Sequence, residues 1–327
     1  MKDIGLVGLP GSGRSTLFTA LTRHGAAGGR ANQAVVPVPD PRLEVLARLQ
    51  GSARTIPAQI RFVDVPGGTS SAQGIAQLRQ VDALCIVLRA FGPNADPARE
   101  LVEVRAELLL ADLAVVASAL EGARKRARGG RSPAQEVAAL ERAHEVLAAE
   151  TPLRDAALDE ETRRLLRAVA PLTLKPEVVV ANLEEGAEVP PGLPEGTIGV
   201  WAALEAETAG MPEDEARALL EGFGIPEPGL ERVIRACYRA LDLVTFLTFN
   251  PDEARAWQVR RGAKAPEAAG VIHTDMQRGF VRAEVVAFDD LVAAGGWEAA
   301  KHRGLVRVEG RDYEVREGDV IHVRFAV

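Results

Sequence analysis

The chain has 327 residues, a net charge of −7 and 47% apolar residues, enough for roughly two or three domains with cores of their own. The acidic balance argues against a protein that coats nucleic acid indiscriminately, while leaving room for a local basic patch. Cys85 and Cys237 stand far apart in apolar surroundings and read as core residues rather than a disulfide framework or a metal site. The best apolar run, LLLADLAVVASAL, contains Asp112 and is too short to span a bilayer, so a cytoplasmic protein without a membrane contact is expected.

The first element in chain order is the apolar run Ile4 to Val7, fit for a buried strand, followed by GLPGSGRST (Gly8 to Thr16) and then a helical segment, Ser15 to Leu21. The loop has the layout G-x-x-x-x-G-K-[ST] of a phosphate-binding loop, except that Arg14 stands where the pattern has lysine. Gly8 and Gly13 permit the sharp turns that bring backbone N–H groups close to an anion, and the following helix presents its positive end. The Ser15 hydroxyl suits a magnesium ion bridging phosphates. The alternative reading of this stretch is an ordinary glycine-rich turn between a strand and a helix.

HGAAGGRANQ has no periodicity and reads as irregular. IRFVDVPGG reads as a strand from Ile60 to Val63 ending at Asp64 and a Pro-Gly turn, and VDALCIVLRAF as a second strand whose continuous apolar run predicts burial on both faces. PEVVVANLEE and TIGVWAALEA supply two more strands, each followed by a helix or turn, and this alternation predicts a parallel, doubly wound α/β sheet.

Between Phe91 and Glu177 the texture is helical. Leu101, Val104, Leu108, Leu113, Val116 and Leu120 recur mostly every three or four residues, and Val137, Leu140, His144 and Leu147 repeat that spacing. A helical hairpin is predicted, its second helix capped by Ser132, Pro133 and Gln135. His144, on the seam, is expected to be packed rather than a ligand. The hairpin turn carries Arg124, Lys125, Arg126, Arg128 and Arg131, a basic tip that is either a solvated helix end or a contact for a phosphate backbone. From Val244 onward, TFLTF, EARAWQVRRG, GFVRAEVVAF and DVIHVRFAV alternate like strands around one helical segment, DDLVAAGGWEAAKHRG, which predicts a small mixed sheet with its own core.

The stretches GLPGSGRSTLFTALT, VVPVPDPRL, FVDVPG, ELLLADL, LTLKP, ANLEE, EPGLERVIRACYRALDL, EARAWQV and GVIHTDMQRGFVRAE are similar, in order, to the YchF branch of the Obg-like P-loop NTPases, and the match runs from Met1 to Val327. The resemblance implies a P-loop NTPase core (1–95 and 170–243), an inserted helical coiled-coil arm (96–169) and a C-terminal TGS-like domain of β-grasp shape (244–327). It implies a nucleotide site at Gly8, Gly11, Ser12, Gly13, Arg14, Ser15 and Thr16, with Asn182, Leu183, Glu185, Ala202 and Ala203 around the base. It also implies Mg2+ held by Ser15 and Asp64, a monomer, and a ribosome or RNA partner met through the arm and the TGS-like domain. ATP is expected over GTP, because Asn182 to Glu185 has the family's N-x-x-E form and lacks the aspartate that reads guanine in N-K-x-D.

The chain departs from the family as a divergent member would. Gly11 and Arg14 stand where the family carries asparagine and lysine, Trp201 replaces a small residue beside the base, and the threonine-bearing first switch is missing before VVPVPDP. The second switch is shortened to GTSSAQG, and the candidate catalytic histidine of the family has no counterpart in GPNADP. With no residue assigned to activate water, a slow ATPase is expected; a degenerate NTPase acting as an interaction module is the alternative, and a GTPase the third reading.

Overall fold

The computed structural model describes residues 1–24, 32–128, 134–208, 211–225 and 227–326. In chain order the elements are β1 (Lys2–Val7), α1 (Arg14–His24), β2 (Gln33–Pro37), α2 (Arg42–Gln50), β3 (Arg54–Ile56), β4 (Gln59–Asp64), α3 (Ala72–Leu78), β5 (Ala83–Ala90), α4 (Pro97–Arg128), α5 (Ala134–Ala148), α6 (Glu160–Leu166), β6 (Glu177–Leu183) and β7 (Ile198–Val200). They continue with α7 (Ala202–Thr208), α8 (Glu213–Gly222), α9 (Gly229–Ala240), β8 (Leu243–Phe249), β9 (Glu253–Arg260), α10 (Ala265–Ile272), α11 (Thr274–Arg278), β10 (Phe280–Ala287), α12 (Phe288–Ala294), α13 (Trp297–His302), β11 (Arg307–Glu309) and β12 (Asp319–Phe325). The chain divides into two compact units, 1–36 with 60–241 and 37–59 with 242–327.

The first unit is built on a six-stranded sheet in the order β2-β4-β1-β5-β6-β7. Its central pairs are parallel, with Ile4 opposite both Phe62 and Ala83, and Leu88 opposite Ala181. The unbroken apolar run in β5 has its reason here: residues 83–88 are all buried, as a strand covered on both faces requires. Cys85 on β5 and Cys237 on α9 are both buried and free, and meet in this core, where the neighbouring Cys85 and burial push the Cys237 thiol well up. These are the packed roles expected of them.

Helix α4 serves two cores in turn. Leu101, Val104 and Leu108 join Val7, Leu84 and Leu88 under the sheet, whereas Val116, Leu120 and Ala123 pack with Leu140, Ala143 and Leu147 of α5 and with Leu166 of α6. The same apolar stripe, continued for about six turns at 3.6 residues per turn, thus runs from the core under the sheet into the helical hairpin. Asp112, which interrupts the apolar run, lies at the handover, fully buried. Its carboxylate faces Arg79 at 2.7 Å and accepts from the Leu172 and Thr173 backbone N–H groups and the Thr173 hydroxyl. Asp96 accepts from the Arg99 N–H at 3.0 Å ahead of Pro97, a start signal that suits proline at the first helical position. His144 is half-buried on the seam, a packed residue as expected. The expected cap at Ser132 and Pro133 lies outside the described residues, as does most of HGAAGGRANQ.

The second unit has a six-stranded mixed sheet, β11-β10-β12-β8-β9-β3. Phe246, Val259, Ala269, Val285 and Ile321 form its core. Two expectations are corrected here. The segment 37–59, assigned to the NTPase core, contributes β3 to this sheet, where Thr55 pairs with Ala254 of β9. Nor is there one helical segment: α10 and α11 fold from APEAAGVIHTDMQR, and Gly295 with Gly296, at φ 87° and 125°, separates α12 from α13. Small residues dominate α10, and an alanine-rich helix carries little amphipathic contrast for periodicity to find. Among the described residues, no helix is long and apolar enough to cross a membrane.

Candidate nucleotide-binding site

The loop between β1 and α1 is shaped by its glycines. Gly11 and Gly13 hold φ of 84° and 82°, in the left-handed region that side chains resist. Gly8 is buried, and a Cβ there would stand 2.5 Å from the Val87 carbonyl oxygen and 2.6 Å from Ser12 Oγ. The Ser12 N–H donates to the Leu9 carbonyl at 3.1 Å and Leu17 to Gly13 at 3.0 Å, so the first helical turn begins directly at Gly13. The Ser12 hydroxyl is buried and has no protein partner. Ser15 and Thr16 are exposed at the N-terminus of α1, where N–H groups lack intrahelical acceptors and the helix dipole favours an anion.

Arg14, the first residue of α1, folds back onto the end of β4. Its Nε lies 2.9 Å from Asp64 Oδ1, and both side chains are about one-fifth exposed, at 20% and 21%. Neither atom meets a well-aligned hydrogen-bond partner, so charge rather than a directed bond holds the pair. The guanidinium rests on Gly68, where a Cβ would come within 2.6 Å of Nη1. Gly67 and Gly68, at φ 74° and 47°, form the turn that opens this seat before Ser71 caps α3 by accepting from the Gly74 N–H at 2.9 Å. The Pro-Gly-Gly sequence after β4 was the available signal for that seat, legible as a turn but not as the place where an arginine would lie.

This arrangement bears on the expected Mg2+ site at Ser15 and Asp64. Magnesium takes oxygen ligands in near-octahedral geometry at about 2.0–2.1 Å, and the Asp64 oxygen that would face it already faces a permanent cation. As arranged, the donor set does not fit the ion, because the Asp64 carboxylate is already paired with the Arg14 guanidinium.

The base side is built differently. Asn182, at the end of β6 and 6% exposed, donates from Nδ2 to the Ser12 carbonyl at 3.2 Å and accepts at Oδ1 from the Ala202 N–H at 3.4 Å. One amide therefore ties the phosphate loop to the start of α7. A Cβ at Gly13 would collide with Asn182 Nδ2. Of the other residues expected around the base, Ala202 and Leu183 are buried, and Ala203 and Glu185 are exposed. Trp201 turns its indole N–H to the Ala187 carbonyl at 3.1 Å and lines a cavity of about 330 Å³ with Leu183, Thr197, Glu205 and Arg232. Glu205, which sequence reading did not single out, accepts from the Gly229 and Leu230 N–H groups at 3.0 and 2.8 Å and so caps α9 from within the core. Burial pushes its carboxyl above the usual range.

The arm tip carries fewer free cations than its sequence promises. Arg124 pairs with Glu141, Lys125 with Glu121 and Arg126 with Glu136, all in exposed ion pairs; Arg128 is exposed, and Arg131 lies outside the described residues. Such surface pairs are worth about 0–1 kcal/mol and exchange partners readily.

The comparisons with known proteins agree with this geometry. The family described as a 50S ribosome-binding GTPase matches residues 3–118, and the YchF-GTPase C-terminal family, described as a protein of unknown function, matches 243–326. The chain is 41% identical to the Ribosome-binding ATPase YchF of Haemophilus ducreyi, covering 99% of both proteins. It is 38% identical to that of Bacillus subtilis, again over 99% of both, and 32% identical to the Obg-like ATPase 1 of Xenopus laevis, over 98% of this chain and 92% of that protein. Among solved structures, the Schizosaccharomyces pombe YchF GTPase superposes with a TM-score of 0.88 at 27% identity, over 99% of this chain and 97% of that one. A glycine loop with its helix, a parallel sheet around it, an arm rooted by α4 and relatives matched end to end all lead to one assignment: the chain belongs to the YchF family of Obg-like P-loop NTPases.

Proposed function

We propose that the chain binds a purine nucleotide along Gly8, Gly11 to Thr16 and the Asn182–Ala202 bridge, prefers ATP to GTP and hydrolyses it slowly. The observation that carries the reading is Asn182: it is buried, committed to the loop and to α7, and followed by Leu183, Glu184 and Glu185 rather than by a guanine-reading aspartate. Slow turnover is supported by the residues after β5. The only carboxylate in GPNADP, Asp96, is engaged in capping α4, which leaves no base there to activate water. Because several relatives are named ribosome-binding ATPases, we propose a ribosomal or RNA partner, met through the arm tip at Arg124, Lys125, Arg126 and Arg128 and through the C-terminal domain.

Calorimetric titration of the nucleotide-free protein with ATP and with GTP in a magnesium buffer tests the reading. A preference for ATP of about tenfold, or roughly 1.4 kcal/mol, is expected from one or two discriminating hydrogen bonds. Equal affinities or a GTP preference would overturn it. The second reading, a non-hydrolysing interaction module, is favoured by the Arg14–Asp64 pair, since it leaves the chain without a conventional metal position.

A further inference from the structure

We infer that Arg14 is a built-in cation that takes the role of a divalent metal at the phosphate end, so that this chain binds a nucleoside triphosphate without requiring Mg2+. The inference rests on the nucleotide-binding reading above and concerns what neutralises the phosphates there.

Three observations carry it. The guanidinium is held on two sides, by Asp64 at 2.9 Å and by the backbone at Gly68, which has no Cβ to exclude it. Among the described residues, the one ion pair of Arg14 is made through Nε, and its Nη1 and Nη2 have no protein acceptor, which leaves the planar end of the fork with donors suited to phosphate oxygens. That end belongs to the first residue of α1, beside the exposed N–H groups of a loop already shaped for an anion. Asp64 thus orients the arginine instead of a hydrated ion. A lysine at the same position would be a point charge on a flexible stem, free to leave the carboxylate for the phosphates. A metal ion arriving there would meet a fixed like charge and a carboxylate already paired.

The test measures ATP affinity of the nucleotide-free, full-length chain in magnesium and again in EDTA, for the wild type and for Arg14→Lys. The wild type is expected to bind with affinities that differ by less than about threefold, and Arg14→Lys to bind at least about tenfold more tightly with magnesium than without. A wild-type affinity that drops tenfold or more in EDTA overturns the inference while leaving nucleotide binding intact. No binding of ATP in either buffer overturns the nucleotide-binding reading and this inference with it.

Discussion

The two ends of the candidate site are held by opposite kinds of force. At the base end a single amide, Asn182, makes two directed hydrogen bonds inside the core, and a missing Cβ at Gly13 lets it approach. At the phosphate end Arg14 and Asp64 meet without an aligned bond, each about one-fifth open to water. Directed, buried bonds demand one residue at one place, whereas a half-exposed charge pair tolerates replacement of its members. Substitutions along the site should separate the two behaviours.

The largest effect is expected from Gly13→Ala. The new Cβ would adopt φ near 82° and collide with the Asn182 amide, costing about 3 kcal/mol from the left-handed strain and overpacking combined. Urea denaturation measures it; a variant as stable as the wild type would mean that the base-side contact is not the rigid one.

A smaller loss, about 2 kcal/mol, is expected for Asn182→Ala, which strands the Ser12 carbonyl and the Ala202 N–H in the core. In the same assay Arg14→Lys should stay within about 1 kcal/mol of the wild type, as a partly solvated pair allows. Equal losses at the two positions would erase the contrast between the ends.

The smallest effect concerns pH. Glu205 is kept above the usual carboxylate range chiefly by burial, in spite of two backbone N–H donors. Its folded pKa exceeds its unfolded one, so its contribution to stability is fully present below the unfolded value and is lost as pH rises through the folded value. Glu205→Gln should therefore gain on the wild type in thermal unfolding as pH is raised from below the carboxylate range towards neutrality. A stability difference that does not change with pH, or that shifts in favour of the wild type as pH rises, would count against a buried carboxyl that resists ionisation.

Much of this molecule could be read before it was seen. Runs such as ALCIVL announce a strand buried on both faces, because a parallel sheet sandwiched by helices leaves no polar side. The stripe from Leu101 to Leu120 announces a long helix, because its spacing matches the turn of an α-helix. The glycines of GLPGSGRST announce a loop that needs φ values and close approaches no other residue permits. All of these are local properties of the chain, set by backbone sterics and by periodic burial.

Other features depend on residues far apart in sequence. That β3 joins the second sheet follows from pairing with β9, some 200 positions away, and a three-residue strand carries no periodicity to declare its partner. That Asp112 is a buried junction rather than a break in an apolar helix depends on Arg79, Leu172 and Thr173 arriving around it. Above all, the sequence by itself determined that an arginine stands in the phosphate loop, but only the tertiary structure decided where its charge goes. Strand β4 ends beside β1, Gly68 leaves space and Asp64 supplies the counter-charge, so the guanidinium lies against a carboxylate and a gap that parts of the chain about 50 positions away bring to it.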